Sequence, residues 1–302
     1  MINRRNFSSM AMLSLALSPA CSYSEKAGAA AVVSPDVQRD VAQRLRAIER
    51  DSRGRLGVHI LDTASGATFG HRPDERFPMC STFKLLASAL VLRRVDLGQE
   101  SLERRIPFGA GDLVAASPVT EKQASGVGMT LGELCEATLT TSDNTAANLI
   151  LASYGGPARL TAYARELGDT VTRLDRIEPA LNDWRAGDLR DTTSPRAMLG
   201  SLQKVALGEA LSPASRETLQ RWLLSNTTGD RRLKAGLPAG WRIGDKTGTS
   251  DPGTSNDIGI VWPPQRAPLL VTAYLTGAGA PSAARDDTLA KVGALLPLIA
   301  AA

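Results

Sequence analysis

The sequence predicts an α/β + α fold, in which an antiparallel sheet flanked by helices is formed by both chain ends and an all-α domain is inserted between them. Three observations carry this reading. Strand-like runs stand near the start, at Leu56–Leu61 and Ala67–Gly70. They return near the end, at Trp241–Asp245, Ile258–Trp262 and Leu269–Leu275. Between them, over about residues 80–225, helical periodicity dominates with short Gly, Pro and Asp breaks. One sheet built from two distant pieces, beside an inserted helical layer, accommodates all three. The expected boundaries are 31–75 with 226–302 for the α/β domain and 76–225 for the helical domain, after a leader and the start of a linker at 1–30.

The elements follow in order. Arg4 and Arg5 precede an apolar stretch from Met10 to Leu17, then small residues. That stretch falls well short of the roughly 20 residues a membrane span needs, so it reads as an export signal. The paired arginines fit a twin-arginine (Tat) address and equally a basic region for Sec export, and both remain open. Ser18 stands where a lipobox has Leu, which favours ordinary cleavage over lipidation of Cys21. Residues 27–35 form a small-residue linker. From Asp36 a helix is expected, with Val37, Val41, Leu45 and Ile48 at three- and four-residue steps and Gly54 as its stop. Thr63-Ala64-Ser65-Gly66 separates two strands as a hairpin turn would. An apolar helix over about 286–300 closes the fold.

Composition narrows the function. The 302 residues are 43% hydrophobic and 22% charged, with a net charge of +4 and a pI near 9.1. The basic residues are scattered and aromatics make up only 4%, so no focused nucleic-acid face is expected. No segment reads as a membrane span. Cys21, Cys80 and Cys135 are too few for a disulfide framework, so no essential disulfide is expected, and Cys80 is expected as a small buried thiol. His59 and His71 are the only histidines and lack ligand spacing, so neither a metal nor a cofactor is expected.

Three short motifs carry chemistry. Ser81-Thr82-Phe83-Lys84 opens a segment in which Phe83, Leu86, Ala87, Leu90 and Val91 are spaced as one helical face. Ser and Lys three apart share a face, so the amine can reach the hydroxyl, and a serine becomes a nucleophile only when a base takes its proton. Alone this signal is weak, since a chain of this length shows roughly one S-x-x-K by chance. Ser142-Asp143-Asn144 stands at a break before a second helical stretch, where a plain cap is the alternative. Lys246-Thr247-Gly248-Thr249 ends a strand-like run, where Lys could merely guard a sheet edge. Together, in this order and about 60 and 100 residues apart, they are not accidental.

The trio resembles the signature of the class A serine β-lactamases, which is shared with penicillin-binding proteins. The similarity runs through nearly all the mature chain and includes Ser117-Pro118-Val119-Thr120-Glu121-Lys122 and Trp262-Pro263. A fourth element, Arg176-Ile177-Glu178-Pro179-Ala180-Leu181-Asn182, leads to Asp191 and separates the hydrolases from their cell-wall relatives. The resemblance implies an active site between the two domains and hydrolysis of a β-lactam through an acyl-serine. Ser81 would be the nucleophile and Lys84 or Glu178 its base, with Ser142 relaying a proton and Lys246 supplying field. The backbone N–H groups of Ser81 and Thr249 would form the oxyanion hole. Glu178 and Asn182 would hold the hydrolytic water, Asn144 would touch the substrate's side-chain amide, and Thr247 and Thr249 would meet its carboxylate. Arg176 and Asp191 would pair to close the loop, with a cis bond at Glu178–Pro179. The implied partners are a small β-lactam and a catalytic water, acting on an exported, secreted or periplasmic monomer.

This chain departs from the family in places. Ala116 stands where an aromatic residue usually walls the mouth, and Ser250 stands where some relatives carry a cysteine bonded to the equivalent of Cys80. The carboxylate-gripping arginine is expected at Arg232, with Arg285 held by its own neighbours Asp286 and Asp287. Two other readings stay open at this point, a DD-peptidase and a β-lactam sensor domain. The Glu178–Asn182 loop argues against the first, and the lack of anchor and signalling module against the second.

Overall fold

The computed structural model describes residues 34–251 and 253–302, so the leader expected over 1–30, including Cys21, lies outside the described residues. Helix α1 (Pro35–Ser52) begins where Ser34 accepts a hydrogen bond from Asp36 N at 3.2 Å and Pro35 fills the first position. Val41, Leu45 and Ile48 are buried as their spacing requires. Arg53, in the left-handed region at φ 53°, ends the helix one residue before Gly54. β1 (Arg55–Asp62) and β2 (Thr68–His71) form the expected hairpin. β3 (Phe77–Pro78) follows, then a 3-10 turn at Cys80–Phe83 and α2 (Lys84–Asp96).

The helical middle comprises α3 (Leu131–Thr140), α4 (Asn144–Ser153), α5 (Pro157–Glu166), α6 (Pro195–Ala206) and α7 (Pro213–Leu224). Short strands β4 (Arg105–Ile106), β5 (Met129–Thr130) and β6 (Thr192–Thr193) stitch its loops, with β4 on β5 and β6 on β3. β7 (Arg242–Ser250), β8 (Thr254–Trp262) and β9 (Leu269–Thr276) then complete one antiparallel sheet in the order β2-β1-β9-β8-β7. The last helical stretch is two helices rather than one, α8 (Ser282–Gly293) and α9 (Leu296–Ala300), because Pro297 cannot continue the ladder of α8. Among the described residues, no helix is long and apolar enough to cross a membrane.

Both faces of the sheet are buried, and β9 shows how. Leu269, Val271, Ala273 and Leu275 pack with Leu45, Leu289 and Leu296 on the side of α1, α8 and α9. The alternate residues Leu270 and Tyr274 join Phe77, Leu86 and Met198 on the side of the helical middle. α2 does not present the single apolar face its spacing suggests. Every residue from Lys84 to Leu92 is buried, because the other helices surround it and water reaches no side of its first turns.

β7 also runs past its expected end. Lys246-Thr247-Gly248-Thr249 lies inside the strand, paired through Ser250↔Thr254, since threonines suit a pleated ladder and the hairpin turn comes only afterwards. The reading of Lys246 as solvent-edge protection does not hold, because Lys246 is fully buried.

A close fit joins sheet and helices at Gly57 of β1. A Cβ there would lie 2.3 Å from the Phe77 ring and 2.9 Å from Pro195 Cγ. Phe77 cannot retreat, because it packs on Tyr274 (centroids 6.0 Å apart) and beneath the Arg55 guanidinium at 3.9 Å. Gly57→Ala is therefore expected to destabilise the protein by about 1–3 kcal/mol through overpacking, read as a lowered urea midpoint at unchanged slope. An unchanged midpoint would show that the ring can move aside.

Candidate active site

The residues singled out in the sequence converge where β7, the start of α2 and the break between α3 and α4 meet. The 3-10 turn carrying Ser81 is fixed from several sides. Asn256 donates to Pro78 O at 2.9 Å and Met79 O at 3.1 Å, and Met79 N donates to Asp191 O at 2.9 Å. Cys80 sits at φ 46°, in the left-handed region that a non-glycine residue adopts only when its surroundings impose it. Gly248 lets β7 pass beside this turn, since a Cβ there would lie 2.8 Å from Met79 O. Ser81 thus occupies a tight turn before the helix proper and does not cap it.

Beneath Ser81 lies a buried cluster of charges. Ser81 Oγ donates to Glu178 Oε1 at 3.1 Å. Lys84 Nζ stands 3.3 Å from the same oxygen and donates to Asn144 Oδ1 at 2.6 Å and Ser142 O at 2.7 Å. The amine was expected at the Ser81 hydroxyl but bonds instead to Glu178, Asn144 and Ser142. A charged carboxylate and two carbonyl oxygens are stronger acceptors than a neutral hydroxyl. Burial holds the Lys84 ammonium below its usual range, with the neighbouring Glu178 charge opposing that shift. Lys246 is likewise held well below its usual range, by burial first and by the positive charge of Lys84 next.

Ser142 links the two lysines. Its Oγ accepts from Lys84 Nζ at 3.3 Å and from Lys246 Nζ at 3.1 Å, and its backbone stands at φ 61°. Asp143 caps α4 through Ala146 N and also holds Val119 N, Thr120 N and the Thr120 hydroxyl, so this cap pins a second loop. Asn144 spends its amide on Ala115 O at 2.9 Å.

Glu178 is 2% exposed and its bond to Pro179 is cis, as expected. Asn182 Nδ2 donates to Glu178 Oε2 at 2.6 Å, while Asn182 Oδ1 is a buried acceptor with no partner among the described residues. Asp191 closes the loop as expected, accepting from Arg176 Nε at 2.6 Å and from the backbone N–H groups of Asp175 and Arg176. Asn148 on α4, which the sequence did not single out, grips Glu178 by both its N–H (2.9 Å) and its C=O (2.8 Å). Only a contact across 30 residues reveals it, and no local pattern marks it.

Above this cluster opens a cleft of about 490 Å³, lined by Ser81, Ser142, Asn144, Asn182, Thr247 and Thr249 among others. Ala116, at φ 60°, and Thr228, also missed in the sequence, line it as well. Arg232 reaches its edge and is 6% exposed. It donates to Thr249 Oγ1 at 2.7 Å, to Gly248 O at 2.9 Å and to Asn256 O at 2.8 Å. Asp286, expected beside Arg285, instead holds Arg232 Nε at 2.8 Å. The helical turn of α8 projects successive side chains in different directions, so adjacency in sequence does not make a pair. Arg285 turns away, to Ser255 Oγ and Ala280 O. Ser250 Oγ donates to Asn182 O at 2.8 Å and ties β7 to the loop. Cys80 and Cys135 are buried free thiols. Among the described residues, no group of three or more His, Cys, Asp or Glu could hold a metal.

Residues 40–298 match the model of the family described as "Beta-lactamase enzyme family". The chain is 46% identical to β-lactamase L2 of Stenotrophomonas maltophilia, over 97% of both chains. It is 50% identical to a β-lactamase of Streptomyces albus G, over 83% of this chain and 81% of the relative. Among solved structures, an ancestral class A β-lactamase superposes with a TM-score of 0.84 at 58% identity, covering 85% of this chain and 98% of that one.

The loop clamp gives a direct test. Asp191→Ala leaves a partly buried guanidinium without its carboxylate and two backbone donors unpaired, a class of change that costs about 3–5 kcal/mol. The Tm should fall, and trypsin should cut first at Arg185 or Arg190 within the loop. A variant as trypsin-resistant as the parent would show that the loop does not depend on this pair.

Proposed function

The chain belongs to the class A serine β-lactamases, enzymes that hydrolyse the β-lactam ring and confer antibiotic resistance, and from that premise we propose which of its residues do the work. The observation that carries the reading is the Ser81 hydroxyl donating to a carboxylate that an ammonium and an asparagine also hold. The paired Glu178 carboxylate and Lys84 amine take the Ser81 proton as Oγ bonds to the lactam carbonyl carbon, and either member suffices for this first step. The oxyanion is received by the N–H groups of Ser81 and Thr249, donors of a kind worth about 3 kcal/mol each. As the C–N bond breaks, the ring nitrogen takes its proton from the Ser142 hydroxyl, the Lys84 ammonium replaces it, and the proton taken from Ser81 restores Lys84 across the 3.3 Å contact with Glu178, which leaves Glu178 an ionised carboxylate. Lys246 supplies field for the anionic substrate. The acyl ester is then attacked by a water held between Glu178 and Asn182 Oδ1. Glu178 accepts its proton and returns it to Ser81.

Asn144 faces the substrate's side-chain amide, Thr247 and Thr249 meet its carboxylate, and Arg232 anchors that anion from the edge. The site lies between an α/β domain (31–75 with 226–302) and a helical domain (76–225). The protein acts as an exported monomer, secreted or periplasmic, with residues 1–30 as its Tat or Sec leader.

Two experiments test this. Benzylpenicillin should leave one drug mass on the tryptic peptide containing Ser81 in Glu178→Ala, with the acyl-enzyme accumulating and steady-state turnover lost. Turnover near the parental rate with no adduct would remove Glu178 from the second step. For the carboxylate, Arg232→Ala should lower kcat/KM by about ten- to a hundredfold, the value of a charge-assisted hydrogen bond. Arg285→Ala should do much less, and the reverse ranking would move the anchor to Arg285.

A further inference from the structure

β7 and β8 place two carboxylates side by side in the interior. Asp245 stands opposite Gly259 and Asp257 opposite Thr247, so the acids are diagonal neighbours on one face of the sheet. They are 2% and 0% exposed and stand close enough for one carboxyl to donate to the other. Other donors are few. Asn226 Nδ2 gives Asp245 Oδ2 one bond at 2.8 Å, and Leu233 N gives Asp257 Oδ2 one at 3.1 Å. Asp257 Oδ1 is buried and meets no N–H or O–H of any other described residue. Such an oxygen is costly unless it carries a proton and donates it, and two ionised carboxylates in contact repel. Glycines keep room for the pair. A Cβ at Gly229 would lie 1.9 Å from Asp245 Oδ2, and one at Gly259 3.1 Å from Asp245 Cβ.

A chain of hydrogen bonds leads from this pair to the cleft. Asn226 Oδ1 accepts from Thr228 N at 3.1 Å and from the Thr228 hydroxyl at 2.8 Å. Thr228 Oγ1 lies 2.5 Å from Thr247 Oγ1, and both threonines line the cleft. We propose that Asp245 and Asp257 hold one proton between them and, through Asn226 and Thr228, orient the Thr247 hydroxyl at the cleft floor. Because the Asn226 amide must face Asp245, its carbonyl faces Thr228. The Thr228 hydroxyl donates to it and keeps a lone pair for Thr247. When Thr247 turns its hydrogen to a substrate carboxylate, Thr228 can donate to Thr247 and still hold Asn226 through its N–H. These are positioning residues, and only this second half rests on Thr247 meeting the substrate.

The charges facing the pair are Lys246 on β7, and Arg232 and Lys234 before it, with Asp286 of α8 behind Arg232. Burial holds both carboxyls above the ordinary range, against these cations. The folded state thus keeps a proton that the unfolded chain releases near pH 4, and stability is lost as pH rises above that value.

Asp257→Asn keeps an oxygen for Leu233 N and a donor for Asp245 but has no proton to lose. Its Tm relative to the parent should rise between pH 5 and 8 by roughly 3 °C per pH unit. A difference that stays flat or shrinks overturns the shared proton, and this readout needs no substrate. For the chain to the cleft, Asn226→Leu should raise KM for benzylpenicillin roughly three- to tenfold with kcat within about twofold, the value of one neutral hydrogen bond. Thr228→Val cuts the same chain should the first variant not fold. An unchanged KM in a folded variant overturns the orienting role, whereas a parent that turns over no β-lactam overturns the functional reading itself.

Discussion

A carboxylate and two ammonium groups share one interior, and that burial governs the architecture around them. Glu178, Lys84 and Lys246 are all nearly or fully shielded from water. An ion so placed is tolerable only when neighbours satisfy it, because desolvation costs several kcal/mol per charge. The supporting structure answers that demand. Asn144, Ser142 and Asn182 each spend a polar group on the charges, and Asn148 holds the Glu178 backbone in place. The strained backbone at Cys80 and Ser142 makes sense in the same light, since both turns aim a polar side chain inward. Pairing alone would make a rigid knot. The hydroxyls of Ser81 and Ser142 connect it to the cleft, which both residues line.

The sequence displayed more of this than its local patterns had a right to show. Strand alternation at both ends and helical periodicity between them gave the layers, because sheet and helix periods differ and the core enforces each. The helix breaks were legible where Pro and capping side chains make them, as at Ser34-Pro35 and Asp143. Three short motifs and one loop located the site, but only their order and joint spacing made them informative. Contacts that depend on the tertiary path were hidden. Asn148 looks like any partly polar helix residue, and Thr228 like any turn residue. The partner of Asp286 could not be read from the chain, because its neighbour Arg285 points elsewhere and the true partner is 54 residues away. The full burial of α2 was equally invisible, since it depends on how many other helices surround it.

Arg232 shows how cleft edge and framework merge in one side chain. Its guanidinium joins Gly248 and Asn256 on paired strands, Thr249 at the cleft and Asp286 on α8. The planar fork of arginine allows this many bonds in fixed directions, which lysine could not match. The group is therefore fixed at the cleft edge with little rotamer freedom left, the pre-organisation that its proposed role as an anchor calls for.

The sheet has one more consequence, which concerns time rather than space. β1 lies between β2 and β9, and its register with β9 runs from Arg55↔Thr276 to Asp62↔Leu269. During synthesis the first strand is made early, yet one of its two neighbours comes last. Closing so long a loop costs chain entropy before any pairing rewards it, so assembly is slow and waits on the final strands. Until then β1 exposes an unpaired edge, a surface prone to wrong partners. A chain threaded across a membrane while still unfolded would turn that delay into an advantage. Ser81, Glu178 and Lys246 cannot meet until β7 has emerged, so an assembled cleft reports that nearly the whole chain has arrived and folded.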